Sequence, residues 1–141
     1  MQGTVSCTVR DTGTGEQVTV SGSVVLINNG SAAPTLSISA SPTSVSGYGN
    51  DGTAVTEAVT FTVSGGVGPF SIAISGGPGS ALTPSGSGRT LTSQFAHYAI
   101  PAGSPVGATF TATVTDSGTG QTAQAAVSAV FYNFAINGPI N

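Results

Sequence analysis

Lysine and tryptophan are absent from this 141-residue chain, histidine and cysteine occur once each, and only 5% of its residues are charged. Globular proteins usually carry about a quarter. The net charge of −3 arises from Asp11, Glu16, Asp51, Glu57 and Asp116 against Arg10 and Arg89. Two arginines cannot form a basic patch that holds phosphates, which excludes nucleic-acid binding. A single cysteine, Cys7, excludes an internal disulfide, and with one histidine there is no zinc set. No apolar run reaches the length of a membrane span, so membrane insertion is not expected. The opening MQGTVSCTVRDTG has neither the basic nor the apolar region of a secretion signal.

Catalytic patterns are also missing. His97, flanked by Phe95 and Tyr98, is the only imidazole and is expected to be structural. Gly86 and Gly88 flank Ser87, but no helix follows to make a nucleophile elbow. The Thr-Gly and Ser-Gly runs open no helix, and no lysine can reach a phosphate. Asn50, Asp51 and Glu57 are too few, and too free of motif, to make a calcium site rather than turn-forming residues. Asn29-Gly30-Ser31 fits a glycosylation triplet only formally. The chain is expected to be no enzyme and to use no cofactor.

What is present favours folding. With 38% apolar residues and a mean hydropathy of +0.28, the chain lacks the polarity of a disordered one despite its 21 glycines. Its most regular stretch is Gly107 to Asn133. Phe110, Ala112 and Val114 alternate with Thr109, Thr111, Thr113 and Thr115, the mark of a half-buried strand. Asp116-Ser117-Gly118-Thr119-Gly120 then reverses the chain, and a second strand returns through Ala123 to Phe131. The same unit occurs near the N-terminus. Thr4 to Asn28 aligns without a gap on Thr109 to Asn133, with Thr4, Thr8, Val9, Asp11, Gly13, Thr14, Gly15, Ser23, Val25 and Asn28 identical to their counterparts 105 residues later. That spacing is the length of a whole β-sandwich domain. The chain therefore looks like the last hairpin of one domain followed by a complete second one.

Residues 1–32 are assigned as an N-terminal β-hairpin and linker, 33–137 as a β-sandwich and 138–141 as a tail. In the hairpin, Val5, Cys7 and Val9 share one face, and the return strand runs from Val18 to Ile27. Cys7 matches Ala112 and is expected to be a small core residue. A lone hairpin has too little partner surface to be stable in water, so Val5, Val9, Val18, Val20, Val24 and Leu26 are the candidate assembly residues. Asn28 to Pro34 is turn-forming and serves as the linker. Strands are then expected over Leu36 to Ala40, ended by Pro42; Val55 to Gly65; Phe70 to Ile74; and Arg89 to Phe95, where Ser93 breaks the apolar face. Gly47 to Gly52 and Gly76 to Gly88 are expected as loops, and His97 to Gly107 as a crossover. About seven short strands with frequent turn signals and no helical period make the chain all-β.

Three stretches carry a resemblance: Gly65-Gly66-Val67-Gly68-Pro69-Phe70-Ser71, Ile100-Pro101-Ala102-Gly103, and Ala108 to Asp116. Together they are similar to the bacterial and phage immunoglobulin-like and PKD-like domains, over Pro34 to about Asn133. The resemblance implies an immunoglobulin-like antiparallel β-sandwich with the N-terminal hairpin added to it. Phe110 stands where many such domains have a corner tyrosine, and Ile72 or Ile74 must fill the place of a core tryptophan. Without lysine, the isopeptide cross-links of some surface members cannot form.

Sheet edges are normally guarded by charge, lysine above all. Here only Pro42, Pro101 and Pro105 offer local protection. Such a surface suits a subunit whose edges are occupied by other copies of itself or by other virion proteins. The expectation is a structural protein of a phage virion, an immunoglobulin-like tail subunit or capsid decoration, with exposed loops in weak contact with host glycans. The alternative is a segment of a bacterial tandem-repeat adhesin or surface-layer protein, extracellular at the cell surface. A carbohydrate-binding module is a third class, for which Tyr48, Tyr98 and Tyr132 are the candidate aromatic platform.

Overall fold

The computed structural model of the chain describes residues 2–25 and 32–134. Outside these lie Leu26 and Ile27 of the expected return strand, Asn28 to Ser31 of the expected linker with its glycosylation triplet, and residues 135–141, which include the assigned tail 138–141. The chain divides into two units, Met1–Ala32 and Ala33–Asn141, and every regular element among the described residues is a strand.

The first unit is an antiparallel ribbon of β1 (Gln2–Arg10) and β2 (Gln17–Val25). The second holds β3 (Ser37–Ser41), β4 (Ser44–Gly49), β5 (Ala54–Thr56), β6 (Val59–Ser64), β7 (Phe70–Gly77), β8 (Ser80–Ala81), β9 (Ser85–Ser87), β10 (Thr90–Ser93), β11 (Phe95–His97), β12 (Val106–Asp116) and β13 (Thr122–Asn133). A four-stranded sheet runs in the order β3-β6-β10-β9. A seven-stranded sheet runs β7-β12-β13-β4-β5-β11-β8 and is close to barrel-like. Phe61 of the small sheet and Phe95, Phe110 and Phe131 of the large one meet in one core, with Phe95 stacked on Phe110 at 4.2 Å. Ile72 and Ile74 are half-buried and pack against that core.

There are more strands than the pattern predicts for two reasons: Gly76 to Gly88, expected as a loop, holds the end of β7 together with the short strands β8 and β9, and at three places the chain changes sheets across a connection of only one or two residues. β3 leads into β4 across Pro42, which has no N–H to continue a ladder. β5 leads into β6 across Glu57 and Ala58, and β10 into β11 across Gln94. At the second and third changes buried hydroxyls serve backbone groups that the ladders leave unpaired. Thr56, 2% exposed, accepts the Phe95 N–H at 3.0 Å and donates to the Glu57 carbonyl at 2.8 Å. The Gln94 side-chain amide donates to the Thr56 carbonyl at 2.9 Å. The Ser93 hydroxyl lies 3.0 Å from the Leu82 carbonyl. The serine that interrupts the apolar alternation is therefore the residue at which the strand leaves one sheet for the other.

The expected loop at Gly47 to Gly52 needs correcting. Gly47 to Gly49 belongs to β4, which pairs in parallel with β13 and antiparallel with β5. The glycines there permit close approach rather than a turn: a Cβ on Gly49 would stand 1.6 Å from the Thr53 carbonyl oxygen. Only Asn50 to Thr53 remains as a connection, with Asp51 at φ 56°.

Candidate assembly site

The two ribbons identified by sequence adopt the same register. Val9 pairs with Val18, Cys7 with Val20 and Val5 with Gly22; 105 residues later Val114 pairs with Ala123, Ala112 with Ala125 and Phe110 with Val127. Their turns are built alike as well. Asp11 Oδ1 accepts the N–H groups of Gly13 (2.7 Å) and Thr14 (3.3 Å), and Asp116 Oδ1 those of Gly118 (2.9 Å) and Thr119 (3.3 Å). Gly15 N–H donates to the Asp11 carbonyl and Gly120 N–H to the Asp116 carbonyl. Both turns follow from an aspartate that caps the amides ahead of it and a glycine in the left-handed region.

Their surroundings differ entirely. β12 lies between β7 and β13, and β13 between β12 and β4, so the second ribbon is hydrogen-bonded along both outer edges. Its inner face, Phe110, Ala112, Val114, Val127, Ala129 and Phe131, is at most 1% exposed. The first ribbon pairs only with itself among the described residues, and every described side chain in it is exposed. Register places Val5, Val9, Val18, Val20 and Val24 on one face, with Cys7 and Gly22 among them. Val5, Val9, Val18 and Val20 are each at least 60% exposed. Fully burying a valine contributes about 1.5 kcal/mol or more, and none of these collects it here. Cys7 is a correction: it occupies the position of Ala112 as expected, yet its thiol is exposed, because the layer that covers Ala112 has no counterpart over it.

Electrostatics mark the same difference. Asp116 is buried, and its Oδ2 accepts the Val67 N–H at 2.6 Å while Oδ1 also accepts that of Gly68 at 3.0 Å. The Val67 amide above all, with those of Gly118 and Gly68 and the Thr119 hydroxyl, holds this carboxyl below the ordinary aspartate range against the opposing effect of burial. Gly66 is required by this seat: it sits at φ 63°, and a Cβ there would come within 2.7 Å of Asp116 Oδ2. The Asp11 carboxyl is lowered too, first by the Gly13 amide and then by the Thr14 side chain and amide, but among the described residues no second loop brings backbone N–H groups to it. Sequence reasoning found the aspartate only as a turn former; the identity of Asp11 and Asp116 was the available signal that it does more.

The remaining candidates fall as follows. His97 is half-buried with its ring 5.6 Å from that of Phe131, and its Nδ1 has no hydrogen-bond partner among the described residues. No three His, Cys, Asp or Glu side chains gather as metal ligands among the described residues. A shallow depression bordered by Phe70, Ile72, Leu91 and Gly86 contains no titratable group. Tyr48 and Tyr132 face each other across the β4–β13 pair with rings 5.2 Å apart, and Phe134 completes a trio whose planes lie within 15°. Tyr98 is exposed and joins no ring pair among the described residues. Phe134 was not among the candidates, because a single aromatic after the last strand carries no periodic signal.

Comparison with protein-family models, with curated proteins and with solved structures finds no match to this chain.

Proposed function

We propose that this chain is a non-enzymatic structural subunit that assembles through its N-terminal ribbon. The observation that carries this reading is a ribbon with an exposed valine face and with outer edges unpaired among the described residues, whereas the second ribbon, of the same register, buries the corresponding face. Exposed edges invite strand addition, and a chain with 5% charged residues has little to deter it. On this reading the second unit is an immunoglobulin-like sandwich, supported by its two facing sheets and by the resemblance of residues 65–71 and 108–116. The setting is a phage virion, as a tail or head-decoration subunit contacting other copies and other virion proteins.

A second reading, a segment of a bacterial tandem array of immunoglobulin-like repeats, is favoured by one observation: two ribbons 105 residues apart in the same register are what successive repeats present. The gene's reading frame separates the two, since an array predicts further 105-residue units alongside. Both share the assembly claim, which deletion of residues 1–30 tests. The sandwich should keep its unfolding transition while the oligomer measured by native mass disappears. An oligomer unchanged by the deletion overturns the claim.

A further inference from the structure

We infer that the partner of the N-terminal ribbon is an open β-sandwich body on a neighbouring subunit, built like residues 33–106 of this chain but lacking its own last ribbon. The inference rests on the assembly reading above and adds the identity of the surface. Its basis is the second ribbon, which shows what this structure requires. β12 takes β7 along one edge, from Thr109 opposite Gly77 to Asp116 opposite Phe70. β13 takes β4 along the other, beginning at Ser128 opposite Ser44. Transferred by the shared register, β1 needs a β7-like strand along Thr4 to Asp11, and β2 needs a β4-like strand from Ser23 onward.

Charge complementarity fixes the end of the seat. Asp116 enters a loop, Gly65 to Pro69, whose Val67 and Gly68 amides point at its carboxylate. Asp11 presents the same carboxylate from the same turn with no counterpart of the Val67 and Gly68 donors among the described residues, so a body with such a loop supplies them. The backbone of this chain's own second unit cannot be that body, since its place is filled by β12 and β13.

Side-chain volumes add that the partner's core is not a copy of this one. The rung Val5–Gly22 is smaller than its counterpart Phe110–Val127, whereas Val9–Val18 and Cys7–Val20 are larger than Val114–Ala123 and Ala112–Ala125. The partner therefore has more bulk where Phe95 stacks on Phe110 here and less near the turn.

The test co-expresses the full chain with a second polypeptide comprising residues 33–106, whose competence to take a ribbon is shown by its capture of a separate peptide of residues 107–134, and follows Cys7 with a maleimide. A second donor carries Val5→Phe, Gly22→Val, Val18→Ala and Val20→Ala, which matches its face to this body. Engagement should place Cys7 where Ala112 lies, slowing its labelling at least about tenfold in the matched donor, and Asp11→Ala should restore the rate. Labelling of the matched donor that is unchanged by the open body overturns the inference. Protection of Cys7 in the concentrated full chain alone, with none added by the open body, also overturns it, since the ribbon then buries itself against a second complete copy; the assembly reading would stand. Cys7 reactive under every condition would remove both.

Discussion

One ribbon occurs twice in this molecule, once bare and once buried, and the contrast separates what a sequence builds locally from what its surroundings add. Register, turn and aspartate cap are the same in both, so strands and turn need nothing beyond their own residues. Burial, edge pairing and the second carboxylate contact belong only to the ribbon seated in a sheet. A hairpin in water is at best marginally stable, so on the proposed reading the bare copy is the one whose free energy would change on docking.

Truncating one rung breaks the comparison most strongly. Phe110 is 1% exposed and stacked on Phe95, whereas Val5, its equivalent, is 60% exposed. Phe110→Ala should cost the sandwich about 3–5 kcal/mol, and Val5→Ala in the unassembled chain should fall within about 0.5 kcal/mol. Denaturant unfolding of both variants checks the difference. Comparable losses would mean that the valine face is already covered in solution.

How far the sequence could take a reader follows the same division. The two ribbons were legible because alternation, an Asp-x-Gly-x-Gly turn and a gapless repeat are local signals. The sheet changes at Pro42, Glu57 and Gln94 were not, since the sheet that a strand joins next is set by partners distant in the chain; the inward positions slip by one residue across the first two changes and keep step across the third. Ser93 looked like an interruption of an apolar face and Thr56 carried no signal, and their reason, the backbone groups exposed at the change, exists only in three dimensions. The glycines of β4 likewise signal a turn in sequence but a close approach in the fold. The valine face of the first ribbon was legible as residues and register, but Cys7 was misplaced. Periodicity gives the side of a strand, not whether anything lies on it.

Charge removal sharpens the contrast at the turn. Asp116 uses both oxygens, each toward N–H donors, so Asp116→Asn must turn an amide NH2 toward one donor set. Asp11 uses Oδ1 alone, and Asp11→Asn keeps that acceptor. A lower melting temperature is expected for the first, and unaltered amide exchange in the ribbon for the second. Acid should discriminate likewise. A carboxyl lowered by folding contributes stability that is complete above its unfolded value, about pH 4, and is lost as pH falls through the folded value. The sandwich should thus weaken below about pH 4, and Asp116→Asn should flatten that part of its profile. A profile indifferent to the substitution would mean that the Val67 and Gly68 amides do not govern this carboxyl.

The smallest effect expected is one on which the two ribbons should agree. Gly15 and Gly120 sit at φ 78° and 74° with no atom within 4 Å of an added Cβ, so only the left-handed backbone opposes a side chain there. Alanine at either site should cost about 1 kcal/mol. For Gly120→Ala this is a small downward shift of the unfolding midpoint. In the first ribbon the same increment is a loss of about fivefold in amide protection across the β1–β2 pair, because little other stability masks it. Equal increments would show that the turn is autonomous and that the difference between the copies lies wholly in what surrounds them. A much larger effect at Gly120 would show that the seat of Asp116 stiffens the turn, and that docking would do the same for Asp11.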